Sequence, residues 1–305
     1  MAKSKTGVSA KLRSLADIRA QIDGIDDALL ALIMKRAEIV HEVRAAKAVQ
    51  TQAPTSAMRP AREAQVLRRL AQQFDNSLPL GVIMRIWREL FSAKTALQGP
   101  LSVNVFGAGQ PIAYWDLARF YFGALTPMQL CQNAAIVLRA VSREPGAIGV
   151  LPEPGSVGDL KDADADWWLQ LLSGEETSVR IIARLPFLED ASKSGNPASF
   201  AIARLAFEPS GDDTTLLVVE TSQDVSATGV SALLGKANLK GRRLASARQD
   251  GAPGARQLVA VEGYVSEKDI TRLRDVSGGA IAFARIVGGY ANAIRIEQAL
   301  RRDVS

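Results

Sequence analysis

The sequence predicts a multidomain chain of 305 residues, in which an all-α region precedes an α/β region and a third region of strands and helices. Between about Leu12 and Gln98, apolar residues recur every three or four positions and glycine is nearly absent, which is typical of helices. After Gly99, short apolar runs alternate with glycine turns and amphipathic segments. From near Asp213 the elements follow the order βαββαβ, which is the ferredoxin-like plan. The predicted domains are residues 1–99, 100–210 and 211–305.

Three helices are predicted in the first region. The first is long and amphipathic, because its apolar residues recur at helical spacing: Leu15, Ile18, Ile22, Ile25, Leu29, Leu32, Ile33 and Val40. A proline-containing break at Thr51–Pro60 ends this helix and precedes a second one near Arg62–Phe74. A third helix is predicted from Ser77 to Gln98, before a Gly-Pro pair closes the region.

Strands and helices alternate in the two later regions. The runs LSVNVFGAG and AIGVLPEPGS each predict a strand that leads into a loop, and helices are predicted at Tyr114–Phe122 and Ala134–Ser142. The polar segment Glu189–Pro197 predicts a loop. The βαββαβ elements are, in order, the strand TTLLVVE, the helix Gly229–Ala237, the strands Gly241–Ala247 and Gln257–Tyr264, the helix Glu267–Arg274 and the strand Ala280–Val287.

Composition excludes several classes of protein. The apolar fraction of 47% and the charged fraction of 23% are ordinary for globular proteins. With Cys131 as the only cysteine and His41 as the only histidine, an intramolecular disulfide is excluded and no metal site is predicted. The first residues, MAKSKTGVSAKLRS, lack the apolar stretch of a secretory signal, and no apolar run approaches the roughly twenty residues that span a membrane. We therefore expect a cytoplasmic protein without a membrane partner.

The net charge of +5 suggests an anionic partner. A nucleic-acid-binding surface is usually a concentrated basic patch, whereas the lysines and arginines here are dispersed and not interleaved with aromatic residues. No nucleic-acid partner is therefore predicted. A small anionic ligand accounts better for local positive charge.

The helical region resembles the all-helical chorismate mutases along its whole length. The run LADIRAQIDGIDDALLALIMKRAEIVHEVRAAK matches the first helix of that family, with Arg19, Arg36 and Lys47 on its polar positions. The run PAREAQVLRRL matches the second helix and places Arg62 and Glu63 on its Arg-Glu pair. The run IMRIWRELFSAKTALQ matches the third helix, which ends on the family's terminal glutamine at Gln98.

The resemblance implies the rearrangement of chorismate, a dianion, to prephenate. This reaction is intramolecular and needs no nucleophile, metal or cofactor. An enzyme must hold a near-attack conformer and stabilise negative charge on the ether oxygen as its bond breaks. By resemblance, Arg19 and Arg36 bind the two carboxylates, for which guanidinium groups are well suited. Lys47 and Gln98 would contact the ether oxygen.

Two further residues complete the implied site. Glu63 would orient the ring hydroxyl, and Arg62 would support the pocket wall. The sequence departs from the family at Arg59, where aspartate is common, and at Lys94, where a small hydroxyl residue is common. Both add positive charge, and both are candidates for substrate binding. Taken singly, any of these residues fits an ordinary solvated helix face; the joint pattern favours a site.

Two of the implied site residues are far apart along the first helix. Arg19 and Arg36 are seventeen residues apart, roughly 25 Å along a helix that rises about 1.5 Å per residue. One small substrate cannot contact both on a single straight helix. The resemblance implies an intertwined dimer in which Arg19 enters the site of the partner. Lys94 and Gln98, four residues apart, share a helix face.

The α/β region resembles the prephenate dehydratase part of bifunctional mutase–dehydratase proteins. The run NPASFAIAR lies where that family carries an Asn-x-Thr-Arg-Phe segment, but Ala198 and Ser199 replace its threonine and arginine and only Phe200 is kept. About forty residues separate Gly155 from Ala198, too few for the family's second lobe. Dehydration needs a proton donor and a carboxylate clamp. We therefore expect a truncated, non-catalytic dehydratase-like region.

The last region resembles an ACT domain, the regulatory domain of those bifunctional proteins. Gly229 and Val230 lie at the family's effector-binding turn, and Gly288, Gly289 and Tyr290 resemble its closing segment. The second effector-binding segment does not align. Two interpretations stay open here: a sensor for an amino acid, and a dimerisation module without a ligand.

The sequence thus favours a homodimeric chorismate mutase of phenylalanine and tyrosine biosynthesis. One alternative is a non-catalytic regulatory or assembly protein that uses the mutase fold as a dimerising scaffold, since fold does not determine function. A third interpretation is the complete bifunctional mutase–dehydratase, which Ala198 argues against.

Overall fold

The protein is described by a computed structural model that covers residues 13–50, 58–75, 77–156, 160, 162–172, 179–190, 197–222, 225–248 and 254–296, without the side chains of residues 41 and 43–50. The α-helices of these residues are α1 (Leu15–Gln50), α2 (Pro60–Gln73), α3 (Leu80–Gln98), α4 (Pro111–Phe122), α5 (Ala134–Arg143), α6 (Asp162–Ala165), α7 (Ala227–Lys236) and α8 (Glu267–Val276).

The strands are β1 (Ser102–Val105), β2 (Met128–Leu130), β3 (Ala147–Pro152), β4 (Arg180–Leu185), β5 (Leu188–Glu189), β6 (Ser199–Ala203), β7 (Asp213–Thr221), β8 (Gly241–Arg248), β9 (Ala255–Glu262), β10 (Ile281–Ala291) and β11 (Ile294–Arg295). A 3₁₀ helix spans Trp167–Leu172. No helix in the described ranges is both long enough and apolar enough to cross a membrane.

The long first helix is confirmed as α1. Its start is capped reciprocally: the Ser14 Oγ accepts from the Asp17 amide at 3.1 Å, and the Asp17 carboxylate accepts from the Ser14 amide at 3.3 Å. The chain divides into two compact units, Met1–Thr55 and Ser56–Ser305, and α1 belongs to the first. Most of the predicted break at Thr51–Pro60 lies outside the described residues. Ten large apolar residues of α1 between Leu15 and Ile39 are 40% to 64% exposed, and Val40 is half-buried.

Helices α2 and α3 belong to the second unit and bury one face each. Proline at the first position of α2 suits a helix start, since the missing amide proton has no intrahelical acceptor there. Their buried residues join a core shared with the sheet and α4, which includes Leu67, Ala71, Met84, Phe91, Val103, Val105, Ala118, Tyr121, Ile182 and Ala201. The second and third helices of the predicted mutase domain therefore pack on the region that follows them. The boundaries at residues 99 and 210 stay predictions.

One nine-stranded sheet organises this second unit, with the strand order β2-β1-β3-β6-β4-β10-β7-β9-β8. Strands β2, β1 and β3 are parallel, and β6 runs antiparallel to β3 and β4. Residues of α4 join the core on one side of these strands, whereas α5 joins a second core with the 3₁₀ helix. In chain order, the described residues thus form three helices and then an α/β region built on one mixed sheet.

The predicted βαββαβ order is also found, as β7-α7-β8-β9-α8-β10. Helices α7 and α8 cover one face of its strands. Its strand β10 pairs with β4 as well as with β7, so the sheet continues from one region into the next. At this junction Gly288 has φ +135°, and a Cβ there would lie 2.1 Å from the Ile181 carbonyl oxygen. Only glycine allows this close approach.

Several elements were not predicted. Strands β4 and β6 lie in the middle of the sheet, and the connection between them includes β5 and then residues 191–196, the latter outside the described part of the chain. The 3₁₀ helix buries Trp167 and Trp168 completely, and the Trp167 Nε1 donates to the Pro152 carbonyl at 3.0 Å. These two rings contribute to the core beneath β6 and β7, together with Phe200.

Candidate active site

Three of the predicted cationic residues lie on α1. Arg19 is exposed and Arg36 is half-buried, and both belong to one uninterrupted helix, as the spacing argument requires. Lys47 lies in the same helix, but its side chain is outside the described residues. Because α1 is one helix of 36 residues, the separation of roughly 25 Å between Arg19 and Arg36 along the helix axis holds.

The start of α2 places three predicted residues differently. Arg59, just before the helix, is exposed and its Nε donates to the Glu208 carboxylate at 2.9 Å. Arg62 is exposed and its Nη1 lies 3.4 Å from the Gln65 Oε1. Glu63, the next residue, is only 4% exposed. The adjacent Arg62 and Glu63 therefore lie on different faces of α2, one towards solvent and one towards the core.

Glu63 forms a buried ion pair that sequence reasoning missed. The Arg88 Nη1 on α3 donates to the Glu63 Oε2 at 3.2 Å, and the two side chains are 2% and 5% exposed. The Arg88 Nη2 is buried and makes no hydrogen bond within the described ranges. Removing a charge from water is costly in free energy unless a partner of opposite sign is buried beside it. Glu63 and Arg88 therefore each offset the cost of burying the other.

Aromatic rings complete the surroundings of Arg88. Its guanidinium carbon lies 3.5 Å from the centroid of the Tyr121 ring on α4 and 5.3 Å from that of Phe187, between β4 and β5. Such contacts attract a cation to the negative face of a ring. Burial raises the pKa of Tyr121, although the neighbouring Arg88 cation acts in the opposite direction. The pair therefore joins α2 and α3 to the α/β region.

Arg88 could have been found from the sequence. The buried residues of α3 are Leu80, Met84, Arg88, Phe91 and Thr95, at helical spacings of three and four. A charged residue at such a position predicts a buried partner of opposite sign. The sequence does not say which acidic residue supplies it.

The end of α3 carries the other predicted residues. Lys94 and Gln98 are both half-buried, and Gln98 is the last residue of the helix. Their spacing of four residues on a helix is confirmed, so they share a face. Whether Gln98 contacts a substrate stays a prediction, as does the role of each other residue of the set.

The predicted effector residues lie in the first turn of α7. The Gly229 amide donates to the Oγ of Ser226, which caps this helix, at 3.1 Å. Val230 is 2% exposed and packs into the core under α7 and α8. A Cβ on Gly229 would lie 2.7 Å from a Val225 methyl group, so this position is tightly packed.

The segment that was compared with the Asn-x-Thr-Arg-Phe motif of the dehydratases lies in a central strand. Ser199 begins β6, is completely buried, and its Oγ makes no hydrogen bond to any described residue. It pairs with Pro152 on one side and Leu185 on the other. Nearby, the Glu153 carboxylate accepts from the Arg184 Nε at 2.9 Å, and a second nitrogen of Arg184 binds Glu189. Arg184 therefore engages both glutamates, whereas the Ser199 hydroxyl takes no part in this network.

Comparison with known proteins agrees with this architecture. Residues 18–99 match the family model of chorismate mutase type II. A bifunctional chorismate mutase/prephenate dehydratase of Pseudomonas aeruginosa is 29% identical over 193 residues, which cover 56% of this chain and 52% of that protein. The chain thus matches about half the length of this curated relative.

Solved structures are similar at low sequence identity. A prephenate dehydratase of Streptococcus mutans is 13% identical, with a TM-score of 0.45 over 64% of this chain and 100% of that one. GqqA, a quorum-quenching acylase, is 22% identical, with a TM-score of 0.46 over 64% of this chain and 97% of that one. The family match to helices α1 to α3 is more specific, and it assigns residues 18–99 to the chorismate mutase type II family.

Proposed function

We propose that this protein catalyses the rearrangement of chorismate to prephenate in the biosynthesis of phenylalanine and tyrosine. One observation carries the proposal: the match to chorismate mutase type II covers residues 18–99, which contain every polar residue that the resemblance implies. The reaction is intramolecular, so catalysis consists of binding one conformer and stabilising developing charge. Both tasks suit a site rich in fixed cations.

The proposed roles follow from the charge of the substrate. Arg36 binds one carboxylate of chorismate, and Arg19 of a second copy binds the other. Lys47 and Gln98 donate hydrogen bonds to the ether oxygen, where negative charge grows in the transition state. Glu63 orients the ring hydroxyl. Arg62 lines the pocket, and Arg59 and Lys94 add positive charge at its edge, which attracts a dianion.

The first prediction concerns Arg36. Arg36→Ala should lower kcat/KM for chorismate by about 100-fold or more, because a charged hydrogen-bond donor to the substrate is removed. Turnover is measured by the disappearance of chorismate absorbance and the appearance of prephenate. Lys35→Ala is the matched control, since Lys35 is the adjacent exposed cation of the same helix.

The same assay distinguishes the proposed mutase from the main alternative, a non-catalytic assembly protein. A non-catalytic assembly protein is favoured by one observation, which is that Glu63 is buried and bound to Arg88. A scaffold would leave chorismate to rearrange at its spontaneous rate. Equal rates with and without the purified parent protein would therefore contradict the proposed mutase activity.

We also propose that the active form is a homodimer. Ile22, Ile25 and Leu29 on α1 are 51% to 53% exposed in the single chain, together with other large apolar residues of this helix. Contiguous apolar surface of this kind usually marks an interface. A second copy is the fitting occupant, because Arg19 and Arg36 are too far apart on one helix to bind the same substrate.

The dehydratase-like region is proposed to be non-catalytic. Ala198 and Ser199 occupy the place of the family's threonine and arginine, and Ser199 is completely buried in a strand that pairs on both sides. A serine that is completely buried cannot reach a substrate hydroxyl to donate a proton to it. Formation of phenylpyruvate from added prephenate would contradict this.

An amino-acid effector remains an open part of the proposal. The resemblance places it at Gly229 and Val230, where the Gly229 amide is engaged by Ser226 and Val230 faces the core. Phenylalanine and tyrosine are the probes. A thermal shift with a changed mutase rate supports a sensor, whereas no effect of either supports a dimerisation module.

A further inference from the structure

A buried arginine on α3 has no role in the site as described so far. Arg88 is 2% exposed and lies on the helix face that also carries Met84 and Phe91. An arginine in such a place loses its hydration, and only strong local partners offset that loss. The groups that Arg88 contacts in the core therefore indicate its role.

The carboxylate of Glu63 is the main partner. Its Oε2 accepts a hydrogen bond from the Arg88 Nη1 at 3.2 Å, across the packing of α2 and α3. A charge-assisted bond of this kind limits the side chain of Glu63 to conformers that keep the contact. In a buried site the two opposite charges also nearly cancel. A dianionic substrate near Glu63 would then meet a neutral pair and not an isolated negative charge.

Arg88 is itself fixed from the other side. The Tyr121 ring lies 3.5 Å from its guanidinium carbon and the Phe187 ring lies 5.3 Å away. Tyr121 and Phe187 both belong to the α/β region, which we propose to be non-catalytic. A rigid support beneath a functional side chain commonly determines how well that side chain is placed.

We propose that Arg88 is a positioning residue for the mutase reaction, which holds and neutralises Glu63 and is held in turn by Tyr121 and Phe187 of the dehydratase-like region. The proposal rests on the proposed mutase function and on the role of Glu63 in it. It gives the dehydratase-like region a use that needs no chemistry of its own, as the support of a residue in the neighbouring domain.

The same helix supplies a matched control. Arg85 also pairs with a glutamate, since its Nε donates to Glu89 at 2.9 Å, and it also lies over a ring of α4, 5.5 Å from the centroid of Phe120. This pair is partly exposed, with side chains 35% and 36% accessible. Arg85→Met therefore removes the same groups as Arg88→Met, but at the surface and away from Glu63.

The experiment measures kcat and KM of the full chain for chorismate, at a temperature where circular dichroism shows each variant to be folded. Arg88→Met should raise KM and lower kcat, each by about 10-fold, the size typical when a supporting partner is lost. KM rises and kcat falls because Glu63, without its buried partner, no longer keeps its charge and the conformer that orients the ring hydroxyl. Arg88→Lys restores the charge and should recover KM. Arg85→Met should leave both constants unchanged.

A double variant separates positioning from folding. In Glu63→Gln with Arg88→Met, no buried charge is left, so the melting temperature should return towards the parent value while KM stays high and kcat stays low, because the side chain at position 63 is still not held. A protein that is only less stable would lose kcat in proportion to its unfolded fraction, with KM unchanged in both variants. That result would overturn the proposal, and so would a folded Arg88→Met protein with parental constants. Absence of turnover by the parent would instead remove the mutase function, and the role of Arg88 with it.

Discussion

The apolar residues of α1 and those of α2 and α3 have opposite surroundings, although all three helices match one family. On α1, Ile25 and Leu29 are 52% and 53% exposed, whereas Leu67 on α2 is fully buried and Met84 on α3 is 1% exposed. The periodicity of apolar residues is helical in every case. What differs is the partner. Helices α2 and α3 bury their faces within the second compact unit, and α1 belongs to the first.

This difference indicates how the two parts gain stability. Helices in water are stabilised mainly by packing of an apolar face, and propensity alone contributes little. In α2 and α3 that packing is made with the sheet and α4, so their stability is a property of the single chain. For α1 we propose that a second copy supplies it. Three sets of variants test this contrast.

The largest effect is expected on α1. The double variant Ile25→Glu with Leu29→Glu would place two charges where the proposed second copy packs. Buried unpaired charges are strongly unfavourable. We expect sedimentation to show monomers, and turnover of chorismate to fall by about 100-fold because Arg19 no longer reaches a partner site.

Leu125→Glu is the control for this change, since Leu125 lies outside the three helices and is 95% exposed. It makes the same chemical change at a site where no packing is proposed. A double variant of α1 that stays dimeric and active would remove the proposed interface and leave the contrast between the helices unexplained.

A smaller effect is expected in the core that α2 shares with the sheet. Leu67→Ala should lower the free energy of unfolding by about 3 kcal/mol, because a fully buried leucine leaves a cavity. Leu29→Ala, measured by urea unfolding at a dilution that favours monomers, should cost about 0.5 kcal/mol or less, as for exposed positions. Equal costs for the two leucines would show that α1 is packed within the single chain.

The smallest effect concerns a polar contact that fixes α2 to the rest of its unit. The guanidinium of Arg68 donates to the Ser210 Oγ at 2.9 Å, the Asp212 carbonyl at 2.6 Å and the Asn292 carbonyl at 2.9 Å. Arg68→Met should cost about 2 kcal/mol of unfolding free energy, since the carbonyls lose a charged donor. Arg69→Met, at the adjacent exposed position, is the control. An equal loss of unfolding free energy in both variants would show that the three hydrogen bonds of Arg68 do not stabilise the fold.

Much of the fold was predictable because it depends on local patterns. The helices α1 to α5 and the βαββαβ elements follow from periodicity, prolines and glycines in short windows. Strands β4 and β6 were missed, because a central strand is defined by its neighbours in the sheet and not by its own length. The continuation of the sheet through β10 depends on Gly288 next to Ile181, a contact between residues more than a hundred positions apart.

The polar residues of the candidate site divide in the same way. Arg19, Arg36, Glu63 and Gln98 were found from spacing and resemblance. Arg88 was not, because its meaning depends on Glu63, 25 positions earlier, and on Tyr121, which lies on another helix. Arg88 lies at helical spacing from Met84 and Phe91, but no local rule identifies its buried partner.

The sequence by itself determined where helices form and which residues carry charge, since both are properties of short segments. It also determined the match of residues 18–99 to the chorismate mutase type II family model. Only the tertiary structure decided that α2 turns Glu63 inward and Arg62 outward, and that α2 and α3 share a core with the sheet. The physical reason is that burial is a property of the assembled surface: a helix has an apolar face in any context, but what covers it depends on distant parts of the chain.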